Sequence, residues 1–253
     1  MHRGSVSTVF AFLVASFAIS SSAQEPNARD ILEAAISQWR GTSSYSEMTM
    51  IIHRPDWQRQ MSMRAWTKGE DHSLVRVTAP ARDAGSATLL NNNDMWTFAP
   101  NINRVIKVPS SMMAQSWMGS DFSNREVARS DDILDEYDHS LLKTEQLESH
   151  LVYHIQSIPH ESAAVVWGRE VLQVREDHVV LRHDYYDQDD RRVKTLLTTD
   201  IAAMGGRVVP RVQRMTKADA PEEWTEIQVN AIDFDVDLSD RLFTVSNLRN
   251  PRQ

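Results

Sequence analysis

The side chains best suited to chemistry are sparse and poorly grouped. His150 and His154 stand four apart in HLVYH, a spacing that on a helix would put both imidazoles on one face, within reach of a single metal ion. The intervening Leu-Val-Tyr and the following Ile155 and Ile158 favour a strand instead, where four residues span about 13 Å and shared ligation fails. They read as rim or surface histidines. Asp187, Asp189 and Asp190 suggest a calcium loop, but no Gly marks the sharp turn and no Glu closes the loop at its twelfth position, so a solvated hairpin turn is the expectation. The adjacent pairs Glu222–Glu223 and Asp131–Asp132 fit caps and loop ends better than a hydrolytic pair of carboxylates. With no cysteine in the chain a catalytic thiol is impossible, and no G-x-S-x-G, P-loop or Gly-rich dinucleotide motif occurs. No catalytic residue, metal site or cofactor is nominated, and the expectation is a protein that is not an enzyme.

Methionine is the more informative residue. Of the eleven methionines, Met48, Met50, Met61, Met63, Met95, Met112, Met113 and Met118 fall between positions 48 and 118. The thioether is flexible and polarisable, so it lines surfaces that fit ligands of variable shape, acyl chains among them; it also serves as filler in an ordinary core. The richest stretch, Thr78 to Asn124, combines turn residues, short apolar strands and a Met/Trp run with few groups able to act as acid, base or nucleophile.

The elements that must position these side chains are legible from period and punctuation. Asn27 to Gly41 reads as one amphipathic helix, with Asn27 as cap, Asp30 in the first turn, Ile31, Leu32, Ala35, Ile36 and Trp39 at helical spacing, and Gly41 as stop. From Tyr45 the period becomes two. Met48, Met50 and Ile52 share one face of a strand, and Met61, Met63 and Ala65 share one face of the next, with Trp66 opposite. Further strands are expected at Ser73–Thr78, Ala87–Leu90, Met95–Ala99 and Arg104–Val108. After Pro109 comes a short helical turn with an irregular segment to Phe122, then a broken helix from Asn124 to Asp138 with a second cap at Asp131–Asp132. The second half alternates strands with short polar turns at about 140–146, 152–158, 165–175, 179–186, 193–200, 208–215 and 223–233, Pro210 marking an edge or a bulge. Leu238 to Phe243 predicts one closing helical turn that docks Leu242 and Phe243. Thirteen strands without alternating helices argue for a mainly β, α+β fold built on one large antiparallel sheet, curled to bury its apolar face.

Residues 1–23 have the layout of a secretory signal peptide: His2 and Arg3, an apolar run from Val9 to Ile19, and small residues ending at Ser22-Ala23. Cleavage after Ala23 removes the charge of Arg3 and takes the formal net charge from −8 to −9. Residues 24–253 then form a single domain, soluble and without a lipid anchor on cysteine. Its negative charge and lack of a basic block argue against nucleic acid as a partner.

Five segments, APARDAGSATLL, DMWTFAPNINRVIKVPSSMMAQSWMGSDFSN, VVWGREVLQV, YYDQDDRRVKTLLTTDI and FDVDLSDRLFTVSNL, resemble the outer-membrane lipoprotein-sorting protein family, a LolA-like group of periplasmic proteins. The resemblance covers essentially the whole chain after residue 23, and SMMxQSWMGSDF is its most specific piece. It implies a half-open antiparallel β-barrel with helices across the concave mouth, and an acyl chain of a lipoprotein or another lipid held between sheet and helices. A soluble, monomeric periplasmic carrier working between an inner-membrane lipid exporter and an outer-membrane acceptor is the expectation. The alternative is a protein-binding module or exporter accessory without lipid cargo of its own. The candidate lining is Met48, Met50, Met61, Met63, Trp66, Met95, Trp96, Phe98, Met112, Met113, Trp117, Met118 and Phe122, with strand alternation sending some of these to the opposite face.

Overall fold

The computed structural model describes residues 26–128, 132–163 and 165–251; the expected signal peptide and the Asp131 half of the expected second cap lie outside them. Helix α1 (Ala28–Arg40) starts where Asn27 accepts the amide of Arg29, and ends where Gly41, at φ 63°, donates its own amide to the carbonyl of Ser37. Five strands predicted in the first half, and the strand begun at Tyr45, appear as β1 (Ser43–Arg54), β2 (Trp57–Lys68), β3 (His72–Ala79), β4 (Ala87–Asn91), β5 (Asp94–Ala99) and β6 (Arg104–Lys107). The second seven are β7 (Tyr137–Leu147), β8 (His150–Pro159), β9 (Arg169–Arg175), β10 (Val180–Tyr186), β11 (Arg192–Met204), β12 (Arg207–Lys217) and β13 (Ala220–Phe234). All thirteen form one antiparallel sheet in the order β6-β5-β4-β3-β2-β1-β13-β12-β11-β10-β9-β8-β7. The sheet is not closed. It makes a half-open barrel with helices over its concave face.

This order dictates the rest of the architecture. The chain enters the sheet in the middle at β1, meanders outward to the β6 edge, and must then reach β7 at the opposite edge before meandering back to β13, which pairs with β1. Residues 108–136 make that crossing. They comprise a 3-10 turn (Ser110–Met112), an irregular loop, and the short helices α2 (Asn124–Ala128) and α3 (Asp132–Glu136). The broken helix of the sequence is thus two helices, and its last residues, from Tyr137, belong to β7 because Tyr137 pairs with Pro159 of β8. Pro210 lies within the sheet rather than at an edge. Pro210 pairs with Ile201, the ladder shifts register between Ile201 and Asp200 beside it, and β12 pairs with β13 only from Val212 onward, so the missing amide interrupts no bond to β13.

Alternation divides the apolar residues among three cores. On the concave side of β1–β5, Met50, Ile52, Met61, Met63, Val75, Val77, Leu90 and Met95 pack beneath Trp117 of the crossover. Further along the sheet, Ile31, Leu32 and Ala35 of α1 meet Ile133, Tyr137, Ile155, Leu172 and Val174. On the convex side, Leu74, Ala87, Leu89 and Phe98 are covered by Phe243 and Leu248, carried on the closing 3-10 turn (Asp240–Phe243) and on helix α4 (Val245–Arg249). The predicted docking of Phe243 is therefore observed, with Leu242 packed at the margin.

Candidate functional site

The crossover is fastened by the residues of its SWMGSDF segment. Trp117 donates from Nε1 to the Thr88 hydroxyl (3.0 Å) and is buried over the methionines. Met118 and Gly119 both take left-handed backbone angles, φ 53° and 80°, which turn the chain sharply so that Ser116 and Ser123 meet in an isolated β-bridge. A left-handed non-glycine residue costs energy that surrounding contacts must offset. Here Asp121 supplies them. Its side chain is fully buried, 3.0 Å from Arg54 Nη2 and 3.3 Å from Lys217 Nζ, and accepts the Thr225 hydroxyl at 2.7 Å. Next, Ser123 and Glu126 form a capping box for α2: the Ser123 amide donates to Glu126 (2.8 Å) and the Glu126 amide to the Ser123 hydroxyl (3.2 Å).

Between this crossover and α1 lies a cavity of about 590 Å³, within the size range of small-molecule sites. Its roof is α1, through Leu32, Ala35, Ile36 and Trp39, together with Met113, Phe122 and Ile133; its floor is the concave face of β9–β12. The floor changes character along the strands. One cross-strand row is Leu172–His183–Leu196, continuing to Met215. Two residues on, about 7 Å away, the row is Glu170–Tyr185–Lys194–Lys217. The cavity is apolar beneath α1 and charged toward the β10–β11 hairpin.

The charged groups are partnered within the wall. Glu170, 5% exposed, accepts the Tyr137 hydroxyl at 2.6 Å and lies 2.5 Å from His183 Nε2. Burial, then the neighbouring Glu170 carboxylate, pushes the Tyr137 hydroxyl far above its usual range. Burial and the nearby Glu126 and Glu170 carboxylates raise Tyr185 likewise. Neither phenol ionises near neutral pH. Lys194 donates to both carboxylate oxygens of Glu126, at 2.9 and 2.8 Å, and Arg125 bridges Asp132 and Glu136 at 3.0 and 2.6 Å. Pairing is what makes burial of these ions tolerable.

A second cavity of about 550 Å³ adjoins the first, sharing Ala114, Phe122, Ser123, Val166, Trp167 and Lys194 with it. Trp167 is set in this partition by Gly168. A Cβ there would stand 2.4 Å from the Asp187 carbonyl oxygen, and the Gly168 amide donates to the Tyr186 carbonyl at 2.8 Å. Only glycine permits that approach of the β8–β9 loop to the β10–β11 turn.

The thirteen candidate side chains separate into four groups. Met113 and Phe122 line the cavity. Met50, Met61, Met63, Met95 and Trp117 are buried in the concave core, with Met48 and Met118 packed at its margin. Trp66, Trp96 and Phe98 face the convex side under the C-terminal segment. Met112 is exposed. Residues not singled out from sequence supply most of the wall: the α1 face, the 165–167 loop, and Glu170, His183 and Lys194. A signal for the last three exists, since each places a polar group among the inward positions of an otherwise apolar alternation, as in Glu170–Leu172–Val174. His150 and His154 do lie on a strand and pair separately, with Glu176 at 3.1 Å and Glu145 at 3.0 Å. Asp187 accepts the amides of Asp189 and Arg191 within a hairpin turn, and Glu223 pairs with Arg54. Among the described residues no group of three or more His, Asp or Glu could hold a metal ion, and no helix is long and apolar enough to cross a membrane.

A half-open antiparallel barrel roofed by helices, with a cavity between roof and sheet, is a LolA-like fold. Over residues 69–250 the chain matches a family model described as "Uncharacterized protein"; the match takes in well over half of the chain, which therefore belongs to that family. Among solved structures it is similar to a DUF1329 family protein from Desulfovibrio piger, with 29% identity, a TM-score of 0.79, and coverage of 87% of this chain and 97% of that one. The same fold is found in a domain described as an outer membrane lipoprotein-sorting protein from Vibrio parahaemolyticus, with 20% identity, a TM-score of 0.78, and coverage of 88% and 98%. It recurs in a LolA superfamily protein from Nitrosomonas europaea, with 22% identity, a TM-score of 0.72, and coverage of 87% and 98%. No curated protein matches the chain. The family resemblance and the half-barrel expected from the sequence are both borne out.

Proposed function

We propose that the protein is a carrier, not an enzyme, which shields the acyl chain of a lipoprotein or other lipid from water in the cavity between α1 and the β9–β12 floor. The observation that carries this reading is the apolar section of that cavity, roofed by Leu32, Ala35, Ile36, Trp39 and Phe122. At about 0.8 kcal/mol per buried methylene, a long chain gains several kcal/mol there even when the fit is imperfect. The descriptions of the Vibrio and Nitrosomonas proteins as lipoprotein-sorting and LolA superfamily proteins agree with it. In this reading Met113 and Phe122 touch the ligand, while Met48, Met50, Met61, Met63 and Met95 seat the Trp117 strap that forms one wall. The exported chain, residues 24–253 after loss of its signal peptide, works as a monomer in the periplasm, between an inner-membrane lipid exporter and an outer-membrane acceptor. Native mass spectrometry after gentle purification tests the reading: an adduct of lipid mass is expected, together with uptake of a fluorescent fatty acid by the stripped protein. A protein free of lipid and unable to take up the probe overturns it.

A further inference from the structure

We propose that the second cavity receives an anionic head group, so that the ligand is an amphiphile bearing a carboxylate or a phosphate; this deepens the carrier reading and rests on it. The floor sets the polarity. The Leu172–His183–Leu196 row lies under α1, and the Glu170–Tyr185–Lys194–Lys217 row lies toward the hairpin, where the second cavity opens past Phe122 and Trp167. A chain lying along the strands in the first cavity therefore directs its head into the second.

The charge there favours an anion. Lys194 and Lys217 are direct cross-strand partners on β11 and β12, an arrangement of like charges that destabilises a sheet unless it is neutralised. Both counter-ions come from the crossover, Glu126 for Lys194 and Asp121 for Lys217. These carboxylates are divided among several donors. Glu126 also caps α2, and Asp121 also takes Arg54 and Thr225. Glu126 accepts two bonds from an ammonium that has three to give. Arg191 and Arg192 stand at the rim, the latter half-exposed with its nearest carboxylate, Asp184, at 3.9 Å. Of the remaining lining carboxylates, Asp187 is occupied by the backbone amides of its own turn, and Asp219 is exposed to solvent at the far edge beside Ala218. A head-group anion thus meets two adjacent lysines whose carboxylates are shared, Arg192, whose distant partner Asp184 is already held by Arg182, and Arg191, whose ion pair with Asp189 is exposed to solvent.

The test compares matched probes that differ in charge: palmitate against methyl palmitate, and palmitoyl-lysophosphatidylglycerol against monopalmitoylglycerol. Competition against a bound fluorescent fatty acid gives the affinities. The charged member of at least one pair is expected to bind about tenfold or more tighter, the size of one or more charge-assisted hydrogen bonds. A preference in the first pair alone names a free carboxylate as the head, and in the second alone a phosphate; either supports the site. The double variant Lys194→Met/Glu126→Gln, which leaves no buried charge unpaired, is expected to bring the ratio close to one. The exposed pair Arg191→Ala/Arg192→Ala, which does not touch the core, is expected to lower it about two- to fivefold. Equal binding of charged and uncharged probes by the native protein, or an unchanged ratio in both variants, overturns the head-group site and leaves the carrier reading standing. Failure of every probe to bind overturns the carrier reading, and the inference with it.

Discussion

Replacing Asp121 by Ala should release the crossover from the sheet. The carboxylate is fully buried and holds Arg54 through two hydrogen bonds of 3.1 and 3.0 Å, with Lys217 and the Thr225 hydroxyl as further partners. Removing one partner of a buried ion pair costs about 3–5 kcal/mol, because the other charge stays buried without compensation. Arg54 retains Glu223 at 3.1 Å and the His53 carbonyl at 2.7 Å, which places the loss near the lower bound, at about 3 kcal/mol. For a domain of this size each kcal/mol lowers Tm by roughly 2–4 °C, so a fall of about 6–12 °C is expected by differential scanning calorimetry. The double-mutant cycle with Arg54→Met isolates the pair: the doubly substituted protein should be at least ~1 kcal/mol more stable than the sum of the single losses predicts. Amide exchange should quicken in residues 115–124 before the rest of the sheet. An Asp121→Ala protein that melts within about 2 °C of the parent, or a cycle that is additive, would refute the idea that this carboxylate anchors the strap.

Further outcomes follow from the same contacts. Phe122→Asp should weaken uptake of a fluorescent fatty acid by about tenfold or more, since it sets a charge in the cavity wall, whereas Trp66→Ala, on the convex face, should leave uptake unchanged. Gly168→Ala forces a Cβ toward the Asp187 carbonyl and should cost about 1–3 kcal/mol, measured by urea denaturation. Burial holds the imidazole of His139 below its ordinary pKa, and its Nε2 has no hydrogen-bond partner. The folded state therefore disfavours its protonation, so its contribution is complete above about pH 6.5 and is lost as pH falls below that value toward the depressed folded-state pKa. His139→Gln should flatten the dependence of denaturation midpoint on pH between 5 and 7.

The strand set was legible because polar turns such as Asp187–Asp190 and Gly205–Gly206 punctuate it and because each strand keeps a period of two. The meander follows from such short connections, and the long 108–136 stretch is the one connection able to span from β6 to β7. The site was less legible. Met50, Met61, Met63 and Met95 share an inward face as their alternation implies, yet the space above them is filled by Trp117. Whether a methionine-rich face is covered or empty depends on which distant segment lands on it, and spacing within a strand carries no record of that. Helix α1 was legible as amphipathic, but its roofing of a cavity over β9–β12 depends on pairings more than a hundred residues away. Glu170 and Lys194 were overlooked because each is an ordinary charged residue beside a turn until the register aligns them through Tyr185.

The central claim is that the cavity between α1 and the sheet holds an acyl chain. A photoactivatable fatty acid with its diazirine near the end of the chain, cross-linked in the purified protein and mapped by peptide mass spectrometry, tests it most directly. Labels are expected on Leu32, Ile36, Met113, Leu172 or Leu196, and unlabelled palmitate should compete them away. Labelling confined to the convex residues Trp66 and Trp96 or to exposed Met112, or labelling that palmitate does not suppress, would contradict the account.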